Sequence, residues 1–290
     1  MAKNNKVLIA GATGTNGRAL TDRLATAGYP VRALVRNRQS GSAQSLAQDN
    51  VELFEGDIND PSALEAGFEN VDRAFIALSI VPNTVELFQN FFDAAKPIDA
   101  HVIKFSALGA GEGAESTIQQ QHTVSDNALI ASGLPYTILR PNSFYQNMLW
   151  SADTIRSEGK FYQPFGNAKQ SLVDVRDLTE VAFKAFTETG HQGQIYELTG
   201  PESPSYHDIA QQLSDLLDKQ VTYVSVPNEA ALQGMLDSGM PEWTARAIAE
   251  LYNVFATGAY SDTNDNVQKI TGRPARTFAD WASDSHAAFA

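Results

Sequence analysis

The stretch Lys6-Val7-Leu8-Ile9-Ala10-Gly11-Ala12-Thr13-Gly14-Thr15-Asn16-Gly17-Arg18-Ala19-Leu20 decides the fold. An apolar run of strand character meets a glycine-punctuated turn, and a helical pattern follows through Leu24. A strand-turn-helix of this kind holds the pyrophosphate of a dinucleotide. The glycines answer three physical demands, namely a turn free of Cβ clash, backbone N–H groups close to phosphate, and tight packing of helix on strand. The spacing is G-x-x-G-x-x-G, longer by one residue in its first interval than the common dehydrogenase fingerprint. Thr13, Thr15 and Asn16 lie within the turn and join Gly11, Gly14 and Gly17 as candidate cofactor contacts.

Outward from the turn, short apolar runs alternate with amphipathic stretches, the pattern of a parallel sheet wrapped by helices. Strands are expected near 7–10, 31–35, 51–54, 73–77, 102–106 and 136–139, and helices near 17–27, 43–48, 61–68, 84–96 and 117–132. After Pro141 the rhythm breaks into an aromatic and amide-rich segment, then a Gly/Pro-rich stretch from Gly159 to Gly166. A strand at 171–175, a helix at 177–187 and a strand at 194–198 should return the chain to the sheet. Helices near 206–217, 229–237, 242–256 and 278–289 then make a second lobe. The expected class is α/β, a Rossmann doubly wound parallel sheet with a smaller, mostly helical C-terminal lobe. Residues 1–150 would bind dinucleotide, with the sheet completed by 170–198. Residues 199–290 would form a substrate lobe, and 142–168 would contribute to the cleft.

Composition narrows the chemistry. The 290 residues contain no cysteine, and the five histidines form no H-x-x-x-H pair, so metal chemistry is not expected. A net charge of −13 would repel nucleic acid and anionic membrane. No apolar run approaches membrane-spanning length and the first residues lack a signal-peptide pattern, so a cytoplasmic protein is expected. The partner expected is a small molecule, and a homodimer is compatible with the reading.

The candidate site residues fall at strand ends. Arg36 follows the second strand where NAD-specific folds place a carboxylate, and no Asp or Glu occurs between Gly28 and Gln48. A guanidinium there can bind a 2′-phosphate, which argues for NADP(H). After the third strand, Asp57 could accept from the adenine amino group and Ile58 could cover the ring, or Asp57 could simply cap the next helix. Ala77, Leu78 and Ser79 offer small groups beside ribose and pyrophosphate. Ser106 and Ala107 would flank the nicotinamide. Lys104 alternates with Phe105 and is expected at a sheet edge or in solvent.

A Tyr-x-x-x-Lys pair, in which lysine lowers the tyrosine pKa for proton transfer, is missing: none of the nine tyrosines has lysine four residues on. His122 and Asp126 share a helix face, so the carboxylate could orient the imidazole or raise its pKa. His122 could contact the cofactor ribose, donate a proton to substrate, or sit on the surface in a helix pair. Pro141 redirects the chain over the cofactor, and Asn142, Phe144, Tyr145, Asn147 and Trp150 could wall a flat substrate or pack between lobes. Tyr145 carries a phenolic proton it could donate, so His122, Asn142 and Tyr145 are the catalytic candidates. Pro141, Asn142, Phe144 and His122 are also candidate cofactor contacts.

Six segments, taken in order, resemble the NmrA-like family of atypical short-chain dehydrogenase/reductase proteins. They are Gly11–Gly17, Lys104–Ala110, the helix with His122 and Asp126, 136–147, Asp174-Val175-Arg176-Asp177, and Tyr196-Glu197-Leu198-Thr199-Gly200-Pro201-Glu202. The resemblance spans essentially the whole chain. It implies an NADP(H)-preferring Rossmann domain, a small C-terminal lobe and no Tyr-x-x-x-Lys pair. It further implies either a reductase of quinones, azo dyes or triphenylmethane dyes, or a noncatalytic redox sensor that regulates a partner. A conjugated acceptor spreads incoming charge where a simple carbonyl needs an acid, so the missing tyrosine favours NADPH-dependent reduction of a flat conjugated acceptor. An isomerase or epimerase with retained cofactor is the least favoured reading.

Overall fold

The computed structural model describes residues 6–290. Its frame alternates strand and helix through the first half: β1 (Val7–Ala10), α1 (Thr15–Thr26), β2 (Val31–Val35), α2 (Gly41–Gln44), β3 (Val51–Glu55), α3 (Pro61–Gly67), β4 (Arg73–Ile76), α4 (Thr84–Ala95), β5 (His101–Phe105), α5 (Thr117–Ala131) and β6 (Tyr136–Pro141). Next come α6 (Ala152–Glu158), β7 (Lys160–Gln163), α7 (Val175–Thr187), β8 (Gln194–Leu198), α8 (Tyr206–Leu217), β9 (Thr222–Ser225), α9 (Asn228–Asp237) and α10 (Glu242–Ala256). The chain ends with α11 (Asn266–Thr271), α12 (Phe278–Asp284) and α13 (His286–Phe289).

Strands β1, β2 and β5 are buried along their whole length, as central strands with helices on both faces must be. The sheet order is β3-β2-β1-β4-β5-β6-β8, with every pairing parallel. Successive strands run outward from β1 in one direction and then, from β4, in the other. That reversal opens a crevice at the carboxyl ends of β1 and β4, where ligands bind in open α/β sheets.

Each face of the sheet has its own core. On one side α7 presents Leu178, Val181, Ala182, Ala185 and Phe186, at helical spacing, to Leu20 and Leu24 of α1 and to Ile9 and Phe75 below. The acidic N-cap Asp174 accepts from the Arg176 N–H and starts that helix. On the other side Phe88, Phe91 and Phe92 of α4 cover Leu8, Ile76 and Val102. A third cluster, built on Tyr145, Phe161, Phe165, Tyr206, Phe278 and Trp281, lies outside the sheet. Residues 145–172 therefore supply part of the core of the second lobe, together with 206–289.

Several elements differ from the sequence pattern. The segment 171–175 is no ladder strand: Val173 makes a single bridge to Phe144, because Asp174 already caps α7. The Gly/Pro-rich stretch contains β7, which pairs in parallel with β9, a pairing that the residue pattern does not announce. The first short helix closes after Gln44, earlier than expected, and the last splits at Ser285.

Candidate active site

The glycine turn is built as its spacing demands. A Cβ on Gly11, which has φ +80°, would stand 2.0 Å from the Ala77 carbonyl oxygen, and one on Gly17 would stand 2.2 Å from the Gly11 carbonyl oxygen. Gly11 thus lets β1 pass against the end of β4, and Gly17 lets α1 close on the turn. The Gly14 N–H donates to the Gly11 carbonyl at 3.0 Å. Gly14 is also the N-cap of α1 and supplies no side-chain acceptor. The first N–H groups of α1 are left for an anion, where the helix dipole favours one. Thr13, Gly14 and Thr15 are exposed, while the Asn16 side-chain oxygen is buried without a partner among the described residues. A cradle that a Cβ would fill and a helix start without a side-chain cap fit a dinucleotide pyrophosphate.

Arg36 leaves β2 exposed at the same end of the sheet. Asp57 does not cap α3: Asp60 does, accepting from the Ser62 N–H at 3.0 Å. The Asp57 carboxylate instead accepts from the backbone and side chain of Asn59 through one oxygen. Those bonds, aided by the charge of Arg36, hold its pKa below the usual range. Ile58 is half-buried against the α4 core, and Ala77 and Leu78 are half-buried while Ser79 is exposed.

The next strand ends carry a group of charges that the sequence pattern misplaces. Lys104 lies at no edge. Its side chain is wholly buried beneath α5, and Nζ donates to Asp126 Oδ1 at 2.7 Å, approaches His122 Nδ1 at 3.2 Å and sits 4.2 Å from the centre of the Phe88 ring. Asp126 Oδ2 accepts from Ser106 Oγ at 2.9 Å and from Arg140 Nε at 3.0 Å. Asp126 therefore serves Lys104, Ser106 and Arg140, and not His122, correcting the expected carboxylate–imidazole pair. Burial, Lys104 and Arg140 together push the His122 pKa well below its ordinary value, opposite to the rise considered from sequence. Burial, reinforced by Arg140 and opposed by Asp126, lowers the Lys104 pKa to about 8. Ser106 directs its hydroxyl into this cluster, and its N–H donates to the Leu139 carbonyl at 2.7 Å.

Two catalytic candidates are withdrawn by their surroundings. Tyr145 is fully buried, edge-on to Phe278, and its hydroxyl has no partner among the described residues. Burial and nearby carboxylates raise its pKa far above ordinary phenol, and its hydroxyl lies in the buried cluster of the second lobe, away from solvent. Asn142 commits its amide to the fold. Its NH2 donates to Ser171 Oγ at 2.9 Å and to the Tyr260 carbonyl at 3.1 Å, while Oδ1 accepts from the Ser143 N–H at 2.8 Å. Trp150 is 70% exposed. Asn147 donates to Ser143 Oγ. Pro141 is buried, and Phe144 packs its half-buried ring against Phe105 at the strand end.

The second lobe reaches the same end through Tyr260, which no sequence motif marks. Gln119 Nε2 donates to its hydroxyl at 2.7 Å and to the Leu108 carbonyl at 3.1 Å. Gly109, with φ +83°, makes room: a Cβ there would stand 2.1 Å from the Tyr260 hydroxyl oxygen. Helix α10 lies against the start of α5, with Ile118, Ala247 and Ile248 at the contact and Ile80 and Trp243 beside them. Thr244 Oγ1 donates to the Ile80 carbonyl at 3.0 Å, and Glu250 accepts from the Thr117 N–H at 3.1 Å. A cavity of about 590 Å³ between Pro201, Val267 and Ala275 shares no residue with these groups. Among the described residues no cluster could hold a metal ion, and no helix is long and apolar enough to cross a membrane.

Comparison with known proteins agrees with this geometry. The pattern of the NmrA-like family matches residues 3–283. An NAD(P)H azoreductase of Xenophilus azovorans is 36% identical over 284 residues, covering 98% of this chain and 99% of that protein. A (4-alkanoyl-5-oxo-2,5-dihydrofuran-3-yl)methyl phosphate reductase of Streptomyces griseus is 33% identical, covering 98% and 99%. The crystal structure of an NADPH-dependent quinone oxidoreductase of Escherichia coli complexed with NADPH superposes with a TM-score of 0.86 at 27% identity, over 97% of this chain and 99% of that one.

Proposed function

This chain belongs to the NmrA-like family, and from that premise we propose that it is an NADPH-dependent reductase of flat, conjugated acceptors. It is an NAD(P)H-dependent oxidoreductase, as its relatives are. The glycine turn would hold the pyrophosphate, Arg36 the 2′-phosphate, and Asp57 with Ile58 the adenine. Ala77 to Ser79 would lie along the ribose side, and Ala107, Pro141 and Phe144 would flank the nicotinamide. The reduced nicotinamide supplies a hydride equivalent when bound.

The observation that carries the acceptor class is the absence of a usable acid among the expected donors. Tyr145 is sealed in the second lobe and His122 is held neutral. Reduction of an isolated carbonyl needs proton donation as oxygen gains charge. A quinone, an azo bond or a conjugated enone disperses that charge, and water can supply the proton afterwards. We read the lobe 199–290, with α9 and α10 over the cleft, as the part that excludes water and selects the acceptor. The azo and dihydrofuranone reductase relatives support this reading over a noncatalytic sensor.

Rapid mixing of the NADPH-loaded protein with a benzoquinone, an azo dye and a conjugated butenolide tests it. Loss of NADPH absorbance that depends on acceptor concentration is expected with at least one. No loss with any of them overturns the reductase reading.

A further inference from the structure

We propose that Lys104 is a positioning residue that holds His122 as the neutral tautomer with its proton on Nε2, so that the cleft meets an uncharged N–H donor at this position. Donor and acceptor inventory fixes the tautomer. An ammonium has three N–H donors and no acceptor. Lys104 Nζ uses one on Asp126 Oδ1, lies over the Phe88 ring and faces His122 Nδ1 at 3.2 Å. At that contact Nδ1 must accept, which places the imidazole proton on Nε2. Nε2 makes no hydrogen bond among the described residues.

The surrounding charges prevent a second proton. The groups packed around His122 are Lys104 from β5, Arg140 from β6, Phe88 from α4 and, on its own helix, Asp126. The sole carboxylate among them is already committed to both cations and to Ser106. Two positive charges share one negative charge, so protonation of the imidazole meets repulsion rather than attraction. His122 can therefore direct a group in the cleft by donating a hydrogen bond, and it is no general acid at neutral pH. Its use toward an acceptor or a ribose rests on the reductase reading above, but its tautomer does not.

The test is ¹⁵N-edited NMR of the histidine rings in the full chain without cofactor, with His122 assigned by its loss in His122→Gln. The wild type should show the neutral Nε2–H form from about pH 5 to about pH 7.5, the span in which an ordinary histidine titrates. Lys104→Met should keep the fold, because Arg140 and Ser106 still bond Asp126, and His122 should then titrate within that range. Lys104→Arg, which restores a donor-only cation, should return it to the neutral form. A wild-type His122 that protonates within that span, or carries its proton on Nδ1, overturns the proposal. So does a folded Lys104→Met protein whose His122 is as resistant as the wild type. Should Lys104→Met not fold, the wild-type spectra and those of Lys104→Arg decide alone. Failure of turnover with these spectra intact would count against the reductase reading and leave the tautomer standing.

Discussion

Lys104 shows how far a single residue can depart from its local pattern. Strand alternation suggests that a lysine next to Phe105 points outward, but a central parallel strand is buried on both faces and has no outward side. The ammonium must then be paired, and its partner Asp126 comes from α5, 22 residues away, where the same carboxylate also holds Arg140 of β6. No local window contains that information. The usable signal is partial: Lys104 and Arg140 stand between apolar neighbours, Ile103 and Phe105 for the first and Leu139 and Pro141 for the second, whereas Asp126 lies between Ser125 and Asn127. The burial has a measurable consequence. An unfolded lysine keeps its proton up to about 10.4, whereas Lys104 in the fold holds its own only to about 8. Between those values the unfolded chain binds more protons, so this group makes stability rise with pH, and its full cost is felt below about pH 8. Lys104→Met removes the titration. The stability difference between Lys104→Met and wild type, from urea unfolding, should shift in favour of wild type as pH rises from about 7 to about 9.5. A difference independent of pH would show that the Lys104 ammonium is not perturbed by the fold.

At the scale of elements the sequence is most legible where one element follows another directly. The β1–turn–α1 unit is readable because its constraint is local and steric: only glycine fits where a Cβ would meet a carbonyl oxygen as closely as at Gly11 and Gly17. The same holds for β2 and the loop after it, where Arg36 emerges because the strand ends at Val35. Strands β7 and β9 are hidden because each has four residues and finds its partner far along the chain, Lys160 beside Thr222. The reach of Arg36 beyond its strand can be measured directly. Arg36→Glu should weaken NADPH binding by about 1.5–3 kcal/mol, roughly ten- to 150-fold in Kd, the range for a hydrogen bond to a charged group. NADH, which has no 2′-phosphate, should lose far less. Titrations of both dinucleotides followed by intrinsic fluorescence distinguish the outcomes, and an equal loss for both would remove Arg36 from the 2′-phosphate.

Across the whole molecule the least legible feature is how the second lobe is tied to the sheet. Asn142 and Tyr145 read as substrate contacts because they follow β6 directly, and their types suit a flat ligand. In the fold they serve the connection instead: Asn142 bonds to Ser171 and Tyr260, and Tyr145 lies in the lobe core. The clasp continues through Tyr260 to Gln119, whose oxygen also accepts from the Ser116 N–H at the start of α5. One side-chain amide thus joins the helix that carries His122 to the lobe that would cover the acceptor. Gly109 is the point at which this clasp can be broken without touching the glycine turn. An alanine there would have to hold φ +83° and place its Cβ 2.1 Å from the Tyr260 oxygen and 2.2 Å from the Gln119 nitrogen. Gly109→Ala should cost about 1–3 kcal/mol of stability from backbone strain. It should also raise the acceptor KM by about tenfold or more, since loosening a closed site degrades positioning. NADPH affinity should change little, because the pyrophosphate cradle and Arg36 lie at other strand ends. Limited proteolysis should cut within α9 and α10 faster than in wild type. If acceptor and NADPH binding weaken together while those helices stay protected, the clasp does not control closure of the lobe, and the strain at Gly109 acts instead on the β5 end of the dinucleotide site.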